Sequence, residues 1–292
     1  MRINKSNIIM KKILNKIKLF IVNEIKKFAK ALPIVILIFV LYGQCTKLGS
    51  ELMLVTPGIE WYLPEDSEAT KDELLAITND VHNLLQVKGI ETKDFYVNVI
   101  ICGSTKEFLW KSLVWDDQTL GVTRWLLGNT TINKSSIKND KMDLNDSKLS
   151  ETIAHELCHI YLSKKLSLLD FILLKAWKDE GFAEYISEHS TLDIEKGLSL
   201  FMTNNKAEIE KTDRDKILYF YFTSRLKTDY LLDYKKVLFE EFIDTEYDEE
   251  LLEEEIRTAL NKGEYKFPSR TMELNKVGEW RTSQIHSRIF IY

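Results

Sequence analysis

Leu149, Ile153, Leu157 and Ile160 recur at the spacing of a helix with one apolar side. A helix seated deeply enough to bury them must also enclose His155, Glu156 and His159, and polar atoms taken out of water need partners. That requirement narrows the folds open to this chain more than any other feature. Four residues apart on a helix, His155 and His159 project from one face and can hold one ion between them. Glu156 sits at the edge of that face, within reach of a water on the ion. A second segment, Trp177-Lys-Asp-Glu-Gly-Phe-Ala-Glu-Tyr185, adds Glu180. Its hard oxygen completes a three-ligand zinc site with the fourth position left for water. Cys158 points about 100° around the helix from His159, which reads as a buried, inert thiol and not a ligand. With Cys45 and Cys102 it forms neither a disulfide framework nor a CxxC ribbon.

Leu162 and Lys165 stand where a metzincin carries a Gly and a third His, which excludes that form. With Glu-Gly-Phe-Ala-Glu-Tyr at 180–185, the chain resembles the gluzincin metallopeptidases, the clan of thermolysin and the alanyl-type aminopeptidases. Its nearest likeness is the small bacterial peptidase-MA-like group. The resemblance is specific at His155, Glu156, His159 and Glu180 and looser over roughly 95–240. It implies zinc held by His155, His159 and Glu180, with Glu156 as the base. Glu184, one turn after Glu180 and on the same helical face, takes the place of the acid that orients a zinc-bound imidazole in this clan. By spacing to Tyr230-Leu231, Tyr221 matches the donor to the developing oxyanion, with Tyr219 as the alternative. His189 is left a bystander, because three ligands already leave zinc its open position. The clan's exopeptidases bind the substrate amine with a Gly-x-Met-Glu-Asn segment ahead of the zinc motif. Here that region reads Leu127-Gly-Asn-Thr-Thr-Ile132, and Thr271-Met-Glu-Leu-Asn275 comes too late in the chain. The resemblance therefore implies a metalloendopeptidase acting on peptide or protein substrates. An aminopeptidase, or a zinc-binding sensor or interaction module without turnover, remains the alternative.

The net charge of -5 is unevenly spread. Residues 1–30 are rich in Lys, with Glu24 the single acid, and the body that follows is acidic. Basic residues that cluster at one end beside an apolar run, ahead of an acidic body, do not form a nucleic-acid footprint. That run, 31–45, is shorter than the ~20 residues of an ordinary spanning helix, and Gly43-Gln44-Cys45 departs from a lipoprotein cleavage site at Gln44. The expectation is an uncleaved single-pass anchor, lengthened by Phe28 and Ala29, with the basic flank in the cytoplasm and the body outside. A cleaved signal peptide with secretion and a basic interfacial helix are the alternatives.

The body divides into a sheet-containing lobe at 46–148 and a helical zinc-binding lobe at 149–265, with 266–292 unassigned. The expected class is α+β, a small mixed sheet followed by a mainly helical lobe. Helices are predicted at 67–87, 105–114, 150–164, 168–189, 193–210, 213–231 and 234–261. A central strand is predicted at 95–102, and short strands at 121–127 and 129–137. A sheet running straight into the motif helix is the gluzincin arrangement, its last strand at the edge of the cleft, where an extended substrate can add main-chain hydrogen bonds.

Overall fold

The computed structural model describes Lys18, Lys30 and residues 32–34, 37–91, 96–144, 147–189 and 192–268. Its contacts divide the chain into two units, 1–48 and 49–292. In the first, residues 37–45 are helical, and Thr46 Oγ1 donates to the Gly43 carbonyl at 2.7 Å. Among the described residues no helix is long and apolar enough to cross a membrane. Of the predicted anchor at 31–45, Ala31, Val35 and Ile36 lie outside the described residues, as does all of the basic region at 1–30 except Lys18 and Lys30.

The second unit has the expected α+β class, with a five-stranded mixed sheet ordered β1-β2-β3-β5-β4. Strands β1 (Ser50–Thr56) and β2 (Ile59–Pro64) form an antiparallel hairpin. It was not expected from the sequence, although its Pro57-Gly58 turn and the inward Ile59, Trp61 and Leu63 carry a strand pattern. Helix α1 (Lys71–Val87), opened by a Thr70–Glu73 capping box, crosses over to β3 (Val97–Ile101), which runs parallel to β2. Helix α2 (Thr105–Ser112) leads to β4 (Gly121–Arg124) and β5 (Asn129–Ile132). β5 lies parallel to β3, and β4 pairs antiparallel with β5 at the sheet edge. The strand predicted at 129–137 is thus β5 and, after a break, β6 (Ser135–Ser136), which pairs with β7 (Lys141–Met142) in a two-stranded ribbon.

The helical half follows. α3 (Leu149–Lys165) carries the motif and buries Leu149, Ile153, Leu157 and Ile160 against α1 and the sheet. The predicted helix at 168–189 is two, α4 (Leu168–Leu173) and α5 (Ala176–Ser187), the first starting at a Ser167 cap and the second stopping where Glu188 turns left-handed at φ 64°. The one predicted at 193–210 is likewise two, α6 (Ile194–Thr203) and α7 (Lys206–Ile209), parted at Asn204 with φ 47°. α8 (Asp213–Asp229) continues as a wide turn through Tyr230–Tyr234, past its expected end. The last predicted helix breaks into α9 (Phe239–Asp244) and α10 (Glu249–Asn261), the second capped by Asp248. Tyr265, at the end of the helical lobe, and Phe267, in the stretch left unassigned, are buried, and Tyr265 donates its hydroxyl to Asp229 at 2.8 Å.

α5 packs on α3 with one side and on α8 with the other. The second contact is close because residue 181 is Gly. A Cβ there would stand 2.4 Å from the Ser224 carbonyl oxygen and 2.5 Å from Thr228 Oγ1. Gly181→Ala must part the two helices, an overpacking cost of about 1–3 kcal/mol that lowers the melting midpoint by roughly 2–12 °C. A thermal melt unchanged from wild type would show that the crossing tolerates a methyl group.

Candidate metal centre

The start of α3 lacks a cap from Lys148, and Asp140 supplies one from the preceding ribbon. Its carboxylate accepts from Ser150 N at 2.7 Å and Ser150 Oγ at 2.6 Å, satisfying an otherwise orphaned helix donor. From this seat the two motif histidines point at α5. His155 Nε2 and His159 Nε2 are 3.3 Å apart, and Glu180 Oε2 lies 3.3 Å from the first and 3.7 Å from the second. Among the described residues these three form the group able to offer one ligand atom each to a single ion.

The donor set fits a metal. Bonds of about 2.0–2.1 Å to a tetrahedral ion place ligand atoms about 3.3 Å apart, close to the observed triangle. Glu180 Oε2 is buried and has no hydrogen-bond partner, an arrangement explained by an ion among the three atoms. The histidine side chains remain 13% and 14% exposed and Glu180 24%, so the centre is not sealed from water.

Each imidazole turns its other nitrogen toward a carboxylate. His159 Nδ1 meets Asp179 Oδ1 at 2.7 Å, and His155 Nδ1 faces Glu184 Oε1 at 3.4 Å. Such partners set the tautomer and orientation of a ligand ring. Glu184 thus stands beside an imidazole, as expected, whereas Asp179 was missed. The signal was present: two imidazoles need two acceptors, only Glu184 had been assigned, and Asp179 is the other acid of the Trp177–Tyr185 segment. Helical spacing from Glu180 favoured Glu184 and hid its neighbour.

His189 is outside the ligand triangle but not idle. Its Nδ1 lies 3.2 Å from Glu184 Oε1 and its Nε2 2.7 Å from Ser147 Oγ, and Arg225 holds its carbonyl at 2.6 Å. Glu184 is wholly enclosed, which disfavours its charge, but His189 and His155 outweigh burial and lower its pKa to about 2. The same balance governs the rings. Burial works against a charged His155, yet Glu180 and Glu184 raise its pKa well above the ordinary value. For His159, Asp179 and Glu180 overcome burial and raise it to about 9.

Glu156 is buried with its carboxylate against the sheet edge, where a Cβ on Gly121 would come within 2.8 Å of Oε1. Its backbone carbonyl accepts from Thr123 Oγ1 at 3.1 Å, tying α3 to β4. Tyr221, on α8, brings its ring to 6.4 Å from that of His155. Burial first, then Glu180, Glu156, Glu184 and Asp179, push its pKa far up, so it stays a hydroxyl donor. Tyr219 instead interacts with Arg257 and Glu253, away from the triangle. Cys158 is a free, fully buried thiol whose pKa burial raises well above the ordinary value.

The sequence matches no model of a known protein family and no curated protein. The site therefore rests on its own geometry.

Two outcomes test it. Asp179→Asn removes a charge from behind His159 and should weaken binding of a divalent ion by roughly 10–100-fold in a competition titration with a chelating dye. An unchanged affinity would show that Asp179 has no part in presenting the ring. Both rings must also lose a proton to become ligands. Since their pKa values are raised, affinity should climb as pH rises from 6 to 8, by up to roughly a hundredfold per unit for two displaced protons. Calorimetry in buffers of different ionisation heat counts those protons.

Proposed function

We propose that this chain is a zinc-dependent metalloendopeptidase of gluzincin type, tethered by its N-terminal segment with the catalytic body outside the cytoplasm. The observation that carries the reading is the convergence of His155 Nε2, His159 Nε2 and Glu180 Oε2 within 3.3–3.7 Å. A zinc ion held there supplies an acidified water and polarisation of the scissile carbonyl.

The remaining roles fall to this chain's own groups. Glu156 accepts the proton of the attacking water and returns it to the leaving amine nitrogen. Asp179 accepts from the outer nitrogen of His159 and Glu184 faces that of His155 at 3.4 Å, and the two carboxylates keep the inner nitrogens turned toward the ion. Tyr221, kept protonated, donates to the oxyanion as the carbonyl carbon becomes tetrahedral. β4 pairs with β5 along one side only, so its other edge offers main-chain groups to an extended substrate. The Lys-rich start and the apolar run after it support the tether, with the basic flank retained inside.

Glu156→Gln separates turnover from metal binding. The variant should keep one zinc per chain by elemental analysis while losing roughly 100–10,000-fold in cleavage of denatured protein substrates. If wild type and variant both hold zinc and are equally inert on an unbiased peptide library, the chain is a zinc-binding module instead. Absence of stoichiometric zinc in the purified wild type would sink both readings.

A further inference from the structure

We propose that α4 is a second membrane contact, docking the body onto the surface of a lipid bilayer with acidic headgroups. The helix is amphipathic in the reverse sense. Leu168, Leu169, Ile172 and Leu173 are 59%, 63%, 61% and 69% exposed. At about 100° per residue they span an arc of about 140°. Phe171, on the other side, packs edge-on against Trp125 with ring centroids 5.0 Å apart. That contact also sets the short turn after β4 beside the helix, and Leu126 in that turn is 62% exposed. A surface helix of a water-soluble body turns its apolar side inward. Here one aromatic ring holds the helix while its aliphatic side faces out, a contiguous patch of the kind that marks a binding surface.

The charges beside it favour a bilayer. Lys164 and Lys165 end α3 just before the patch and are exposed, and Lys175 follows it, paired with Glu246. The intervening acid, Asp170, is engaged with the Ser167 hydroxyl at 2.5 Å at the head of its own helix. Aliphatic side chains with lysines at both ends suit the boundary between acyl chains and anionic headgroups. Chain length agrees. Only Thr46 to Gly49 separate the apolar run from β1, a span of less than about 20 Å even when fully extended. The inference rests on the proposed tether only for bringing the body to the bilayer.

The test uses the full chain in vesicles of phosphatidylcholine and phosphatidylglycerol. A nitrobenzoxadiazole dye is attached at Leu169→Cys in a Cys45→Ser background, Cys102 and Cys158 being buried. The reference site is Asp213→Cys, 95% exposed at the start of α8, where neighbouring Arg214 bonds Gln118 at the opposite end of β4 from Trp125. Lipids spin-labelled at the headgroup should quench the dye at 169 roughly threefold more than at 213. Adding Ile172→Glu and Leu173→Glu should abolish that contrast. Equal quenching at both sites in vesicle-bound protein overturns the proposal and leaves the tether standing. Shielding that ignores the lipid quencher and grows with protein density overturns it in favour of a second copy on the patch. Flotation reads the tether separately: if the double Glu variant no longer floats with vesicles and wild type does, α4 carries the binding and the tether fails. Wild type remaining in the aqueous fraction overturns both.

Discussion

The structure is organised around a charge problem at the contact of α3 with α5. Two imidazoles and the carboxylates of Asp179, Glu180 and Glu184 share a partly buried space, and low-dielectric surroundings disfavour every one of those charges taken alone. Their pairing reverses the penalty, so the rings hold protons more firmly than usual and Glu184 holds its proton less firmly. Much else in the helical half serves that pairing. Asp140 secures the start of α3, His189 and Ser147 stand behind Glu184, and Arg225 fixes the backbone that carries His189. An ion between the rings would replace their protons as the source of positive charge.

What could be read in the sequence follows from the range of the signal. Helical periodicity is local, so α1, α3 and α8 were legible, and so was the pairing of His155 with His159 on one face. The split of the segment after α3 was not, because Leu168, Leu169, Ile172 and Leu173 continue an apolar rhythm while Leu174 breaks the backbone. The β1–β2 hairpin was overlooked because β1 is an edge strand. Several of its residues are exposed, and its register shifts between Leu52 and Leu54, so no clean alternation marks it. The triangle of ligand atoms depended on one long-range guess, that Glu180 returns to the motif. His189 needed the tertiary structure, and for Asp179 the sequence offered a candidate without the proof, since whether a side chain backs a ring depends on the angle at which α5 meets α3.

Glu156 shows how the sheet enters the site. Its carboxylate rests where Gly121 has no side chain, and its backbone is tied to Thr123 of the same strand. A glycine at the first position of an edge strand weakens the strand, yet any larger residue there would displace the carboxylate. Under the proposed reading, one short strand then sets both the backbone edge that a substrate meets and the seat of the group that moves its proton. A shift of β4 along the sheet would alter both together.

Tyr221 depends on a different constraint. It lies on α8, while Glu180 lies on α5, and the distance between these helices is set where Gly181 presses against the Ser224 carbonyl. Ligand and glycine are adjacent in sequence, so the residue that brings α8 close is fixed to the one that faces the histidines. Burial, then the carboxylates of Glu180, Glu156, Glu184 and Asp179, keep the Tyr221 hydroxyl protonated, and those same acids would repel a negatively charged oxygen placed beside it. A donor there stabilises developing charge only while positive charge at the ligand triangle offsets the carboxylates. Under the proposed reading the hydroxyl and the metal centre are therefore coupled electrostatically, and the first is of little use to an oxyanion without the second.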